Sequence, residues 1–247
     1  MSERPVGVLA RSAVVTEVLA QDGPLTPAEI ADRTGLPRAS VYRLVDALSA
    51  IGLTETRESG LVGLSLRWLR LADAASRAMT EWDGADAILD DLAARTGQTA
   101  FLSVPRPDRA LCIRWVPGSG IGVLILRPGR SLPLHAGAAG RLCLAYRSDL
   151  DKVLAQAPFE RLTPRTLTTA AELAADADET RERGYCRSDQ DVTEGISALG
   201  VAVLDPRGNL AGALSIGGLA RDFDQNRTRF VDVLQETAQR LSGNLGA

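Results

Sequence analysis

The chain has 247 residues, 45% of them hydrophobic and 24% charged, enough apolar content for more than one core and too much for a disordered polypeptide. No run approaches the ~18 apolar residues of a membrane span, and Met1-Ser2-Glu3-Arg4-Pro5 lacks an apolar secretory core, so the expectation is a cytoplasmic protein. The net charge of −3 excludes partners held by bulk positive charge: residues 1–80 carry nine Arg against nine Asp/Glu, and the other 19 basic and 22 acidic side chains account for the deficit.

Residues 9–20 read as a helix with Val14, Val15, Val18 and Leu19 on its apolar face, ended by Asp22-Gly23-Pro24. A second helix opens at Leu25-Thr26-Pro27-Ala28-Glu29-Ile30. Thr26 and Glu29 have the spacing of a capping box, Pro27 is harmless in the first turn, and Leu25 and Ile30 form the hydrophobic staple. Gly35-Leu36-Pro37 stops it in a tight turn. Val41, Leu44, Val45 and Leu48 then recur on one face of a third helix, which leaves Arg43 pointing away from the apolar stripe with Ala39, Ser40 and Tyr42 around it. A small residue, a hydroxyl, a phenol and a guanidinium on an outer face suit entry into a DNA major groove. Residues 53–57 and 61–66 around Glu58-Ser59-Gly60 read as a two-stranded wing, so residues 1–66 form a winged helix-turn-helix.

Leu64, Trp68, Leu71, Ala72, Ala75 and Met79 fall three and four apart on a linker helix over residues 67–80, a seam for intradomain packing or for a second chain. Residues 81–247 have a different character. A helix from Asp83-Gly84-Ala85 to Gly97 precedes strand-like residues 99–104, 110–116 and 122–126; residues 142–147 and 170–183 read as helices. Strands 200–204 and 210–216 make a hairpin across Asp205-Pro206-Arg207-Gly208-Asn209, and residues 224–245 form a closing helix with Phe230, Val233, Leu234 and Leu241 inward. The fold class is α+β.

Gly35-Leu36-Pro37-Arg38-Ala39-Ser40-Val41-Tyr42-Arg43-Leu44-Val45 closely resembles the recognition segment of IclR-type bacterial transcription regulators. Leu132-Pro133-Leu134-His135-Ala136-Gly137-Ala138-Ala139-Gly140-Arg141 resembles the effector-domain signature of that family, and Leu162-Thr163-Pro164-Arg165-Thr166-Leu167 and Arg183-Gly184-Tyr185 with Glu194-Gly195 resemble two more, in the family order. The resemblance implies a GAF-like antiparallel sheet with helices that binds a small organic acid. It also implies a regulator, read as a repressor, on a near-palindromic operator as a dimer or dimer of dimers, the alternatives being an activator or a vestigial pocket.

The candidate DNA-contacting residues are Arg11, Thr26, Arg38, Ala39, Ser40, Tyr42, Arg43 and Arg57, with Arg43 reading a base edge and Arg38 a phosphate. The stretch from His135 to Gly140 has almost no side chain and lies where a helix begins, so its amides form an anion cradle or its small residues serve close packing. By resemblance, the amides of Ala138 and Ala139 receive an effector carboxylate. Gly137 belongs to the same cradle, and His135 is either a contact or a structural hydrogen-bonder. The segment Ser188-Asp189-Gln190-Asp191, then Ala198, and the strand end Ser215-Ile216-Gly217 form the other walls; alternation puts Ser215 and Gly217 on one face, and Asp189 and Asp191, two apart, share a strand face or lie in a solvated loop. Relatives with small keto-acid effectors place an acid, a thiol and two hydroxyls where this chain has Ser188, Ala198, Ser215 and Gly217, which implies a roomier pocket suited to a larger or aromatic acid.

No nucleophile elbow, P-loop or metal-ligand spacing appears, so neither catalysis nor a cofactor is expected. Cys112, Cys143 and Cys186 stand far apart in apolar contexts and read as reduced and structural, and the acidic second half argues against an architectural DNA protein.

Overall fold

A computed structural model describes residues 7–120 and 126–245. The chain divides into two compact units, residues 1–78 and 79–247.

In the first unit, α1 (Val8–Asp22), α2 (Pro27–Thr34) and α3 (Arg38–Ala50) precede the wing strands β1 (Thr54–Thr56) and β2 (Val62–Leu64). Thr26 caps α2 as its spacing requires: its hydroxyl accepts from the Glu29 amide, and the Glu29 carboxylate accepts from the Thr26 amide at 2.8 Å. Gly35 closes the helix in the left-handed region, at φ 67°. Val15, Leu19, Ile30, Val41, Leu44, Val45 and Leu48 form the core, joined by Val62 of the wing. Val14 stands exposed and Val18 half-buried, so α1 uses a narrower apolar face than its sequence offers. The strands pair antiparallel, and Leu25 bridges to Val62 as a third wing position.

α4 (Arg67–Arg77) belongs to this unit. The Trp68 indole donates to the Leu53 carbonyl at 2.7 Å and anchors its first turn at the base of the wing. The expected six-residue seam is therefore shorter. Leu64 packs in the first core, Met79 lies past the helix end in the core of the second unit, and none of the residues of α4 is buried. Leu71, Ala72 and Ala75 remain exposed, joined by Leu69 at 68%.

Among the described residues the second unit holds a six-stranded antiparallel sheet in the order β5-β4-β3-β8-β7-β6, made of β3 (Thr99–Pro105), β4 (Arg109–Val116), β5 (Ser131–Pro133), β6 (Cys186–Asp189), β7 (Ile196–Leu204) and β8 (Leu210–Leu219). Successive strand residues face opposite ways. Leu102, Leu199, Val201, Leu214 and Ile216 pack under α5 (Ala85–Thr96) and α9 (Ala220–Asn244). Phe230, Val233, Leu234 and Leu241 are buried there as α9 expects. On the other face, Ala110, Cys186 and Ala213 pack against α6 (Gly137–Ala145), α7 (Leu150–Leu154) and α8 (Ala170–Arg183).

The expected strand at 122–126 falls, apart from Leu126, outside the described residues. β5 and α7 are too short to carry a readable pattern, and of β6, a short edge strand, the sequence shows only the Asp189–Asp191 spacing. β7 starts four residues earlier and β8 ends three residues later than read, through Ser197, Ala198, Gly217 and Gly218, where small side chains blur the alternation. α6 starts at Gly137, inside the small-residue stretch where a helix start is expected, and runs on into the segment read as helical from residue 142.

Candidate nucleic-acid interface and ligand cavity

α3 presents Arg38, Ala39, Tyr42 and Arg43 to solvent and leaves Ser40 half-buried. Arg11 of α1 joins Ser40 and Arg43 around one shallow surface groove, so two of the expected cations converge. Arg57 is exposed beside the wing turn. Among the described residues Arg11, Arg43 and Arg57 have no ion-pair partner, while Arg38 lies 3.9 Å from Asp32 with both side chains exposed. Unpaired surface guanidiniums are free to meet phosphates or base edges. Thr26 differs from the rest. Its hydroxyl is engaged by both the amide and the carboxylate of Glu29, so its first role is the cap.

In the second unit, a cavity of about 90 Å³ lies between the start of α6 and the α6-facing side of the sheet. Seven of the expected wall residues line it: Gly137, Ala138 and Ala139 from α6, and Ser188, Ala198, Ser215 and Gly217 from three strands. Phe101, Leu126, Leu132, Val192 and Ile196 complete an apolar wall, and Thr193 and Ser197 also line the space. These side chains come from elements that nothing in local sequence joins, and they make the space smaller than expected. A benzene ring occupies a cavity of ~150 Å³, so the space described is the smaller of the two. The Ser215 side chain is 3% exposed and among the described residues has no hydrogen-bond partner, leaving its hydroxyl to the cavity.

Two expected contacts lie elsewhere. The His135 Nε2–H donates to the Glu160 carbonyl at 2.9 Å, and its ring stacks on Phe159 at 5.0 Å, so the histidine holds a loop. Asp189 follows Ser188 in β6 and therefore points to the opposite face of the sheet. There it pairs with Arg165 at 2.6 Å. Burial acts to raise its pKa, but the Gln190 amide with Arg165 and Arg187 outweighs it and holds the carboxyl below its ordinary value. Nor do Asp189 and Asp191 share a strand face, because β6 ends at Asp189 and Gln190 turns the chain at φ 60°.

Asp191, expected in a wall segment, is not among the described lining residues and instead anchors a buried network. It is 1% exposed, and its Oδ2 accepts from the Gly137 amide at 3.2 Å and from Arg141 Nη1 at 2.8 Å. Its Oδ1 accepts from the Ser188 hydroxyl. Arg141 also binds Asp176 of α8 through Nε at 2.8 Å. Thr166 Oγ1 donates to the Asp191 carbonyl at 2.7 Å and Thr163 Oγ1 to that of Gln190 at 2.8 Å, so the Thr163-to-Thr166 motif holds the turn that delivers the carboxylate. The visible signal was Arg141 within an apolar helix, which needs a buried acid; nothing local said which.

Two roles divide the small-residue stretch: close packing at Gly140, and lining of the cavity at the residues read as a cradle. A Cβ on Gly140 would come within 2.1 Å of the Pro133 carbonyl oxygen, so Gly140 serves close approach, while Ala138 and Ala139 line the cavity. Burial pushes the Cys112 and Cys143 thiols up to about 12 and that of Cys186 up to about 11, which keeps all three protonated and structural. Among the described residues no helix is long and apolar enough to cross a membrane, and no group of three His, Cys, Asp or Glu could hold a metal ion.

A winged helix-turn-helix with free guanidiniums on its third helix, in one chain with a sheet domain enclosing a helix-start cavity, defines a DNA-binding transcription regulator. The model for the bacterial transcriptional regulator IclR C-terminal domain matches residues 81–243, and that for the IclR helix-turn-helix domain matches residues 8–58. The chain belongs to the IclR family, whose members are non-enzymatic DNA-binding transcription factors. It is similar to the HTH-type transcriptional regulator KdgR of Dickeya chrysanthemi, at 26% identity over 236 residues that cover 94% of this chain and 77% of that protein. The IclR transcriptional regulator structure from Alicyclobacillus acidocaldarius matches with a TM-score of 0.83 and 28% identity, over 98% of this chain and 100% of that one. An IclR homologue from Microbacterium hydrocarbonoxydans complexed with 4-hydroxybenzoate shares the fold, with a TM-score of 0.81 at 24% identity over 97% and 99% of the two chains.

Proposed function

We propose that this chain is a repressor that holds a near-palindromic operator as a dimer or dimer of dimers and responds to a small organic acid bound in the second unit. Residues 1–66 read the DNA, 67–80 link, and 81–247 sense. The observation that carries the sensing role is the cavity at the start of α6, with the unpartnered Ser215 hydroxyl facing it. Helix-start amides attract an anion, and a hydroxyl that opens on the cavity with its hydrogen bonds unused can complete those of a ligand. Repression needs only occupancy of the promoter. Dimerisation is supported by the exposed apolar stripe of α4, where Leu71→Glu would place a charge.

The test begins with a thermal-shift panel of organic acids on the full chain, followed by operator titrations with and without the acid that stabilises it. Ala198→Leu fills the cavity without adding charge; it should abolish the response and keep operator affinity. A panel without a hit, or a full response in Ala198→Leu, would remove the sensing role from this cavity. Leu71→Glu should give a smaller species by light scattering and much weaker operator binding.

A further inference from the structure

We infer that the preferred ligand is a short monocarboxylate carrying a hydroxyl group where a keto acid carries an oxo group. This rests on the effector reading above and narrows it.

The charge of the ligand follows from what the cavity lacks. None of its described lining residues is Lys, Arg or His, and the nearest described cation in its network, Arg141, is engaged by both Asp176 and Asp191. One carboxylate is met by the first-turn amides of Ala138 and Ala139, which have no intrahelical acceptor. A second would find no counter-charge and would feel Asp191, which already occupies the Gly137 amide. The ligand's size follows from the volume: about 90 Å³ is well under the ~150 Å³ cavity that takes a benzene ring, which favours a short carbon chain.

The hydroxyl follows from proton counting. A serine hydroxyl has one proton and two lone pairs, and a carboxylate can only accept. Ser188 gives its proton to Asp191 Oδ1, so on its cavity side it presents lone pairs alone. Ser215, across the cavity on β8, is a free rotor that adapts to either partner. A hydroxyl on the ligand donates to Ser188 and completes it. An oxo group there sets lone pair against lone pair. Asp191 is thus a positioning residue: it touches no ligand, but it orients the hydroxyl that discriminates.

Lactate, pyruvate, alanine and malonate form a three-carbon set that differs at one position, and calorimetric titration of each into the full chain tests the assignment. Lactate should bind about tenfold or more tightly than pyruvate, the usual consequence of one unmet buried hydrogen bond, and malonate should not bind. Ser188→Ala should bring lactate and pyruvate to near equality. Asp191→Asn releases the Ser188 proton and should move the preference toward pyruvate. Pyruvate binding as well as lactate, a lactate preference that survives Ser188→Ala, or malonate binding would overturn the inference, and so would alanine binding tightest. If none of the four binds while the acid panel yields a ligand sensitive to Ala198→Leu, this inference fails and the effector reading stands. If the panel is also empty, both fall.

Discussion

The two units of this protein start their functional helices in opposite ways. In the reading head, α2 is capped by Thr26 and Glu29, three residues apart on the same turn. In the sheet domain, α6 has no side-chain cap of its own, and its first amide is met by Asp191, 54 residues further along the chain. A local cap forms as soon as the helix does. A remote cap exists only after β6 has joined the sheet and Thr163 and Thr166 have closed on the 190–191 turn. The head is therefore a preformed surface, whereas the cavity is a property of the whole second unit, and a change at its floor is felt in α6, α8 and β6 together.

The harshest way to break that contrast is Arg141→Met, which leaves Asp176 and Asp191 buried without their cation. Removing one partner from a buried ion pair costs about 3–5 kcal/mol, and chemical denaturation should show a loss of that size confined to the second unit's transition. A loss below 1 kcal/mol would mean the triad does not hold α6 in place. Gly140→Ala should come next, at about 1–3 kcal/mol, because the Pro133 carbonyl is backbone and cannot move aside cheaply.

On the reading head the comparable changes act on binding. Arg43→Ala should cost about 1–3 kcal/mol on the operator and flatten sequence preference, whereas Arg38→Ala should weaken all DNA alike and lower the salt slope by about one. Full operator preference in Arg43→Ala, measured by competition, would place the base-reading residue elsewhere on α3. Thr26→Ala should cost about 1 kcal/mol of stability by removing the α2 cap.

Acid sharpens the same point with the smallest effect. Backbone and then side-chain hydrogen bonds from Thr26 hold the Glu29 carboxyl below its ordinary 4.5, and Thr169 does the same for Glu172 at the start of α8, side chain first. A carboxyl lowered in the folded state binds protons more readily when unfolded. Its contribution is therefore complete above about pH 4.5 and drains away as the pH falls through the folded value. The double variant Glu29→Gln, Glu172→Gln should show a flatter stability profile below that pH than the parent protein; an identical acid profile would discount both caps.

What the sequence determined by itself is whatever is encoded within one turn or one hairpin: the Thr26–Glu29 cap, the Gly35 stop, the α3 stripe, the wing, and the alternation that sets Ser215 and Gly217 side by side. The family motifs added the wall residues Ala138, Ala139, Ser188 and Ala198, and the structure does bring these together. Only the tertiary structure decided the rest. It turned His135 onto Glu160, faced Asp189 away through the pleat, closed the cavity to about 90 Å³ with Phe101, Leu132 and Ile196, and chose Asp191 as the partner of Arg141 across 50 residues. Periodicity and capping act between residues a few positions apart, so they can be read along the chain. The partner of a buried charge and the volume left between a helix and a sheet depend on which distant segments arrive there, and no local pattern carries that information.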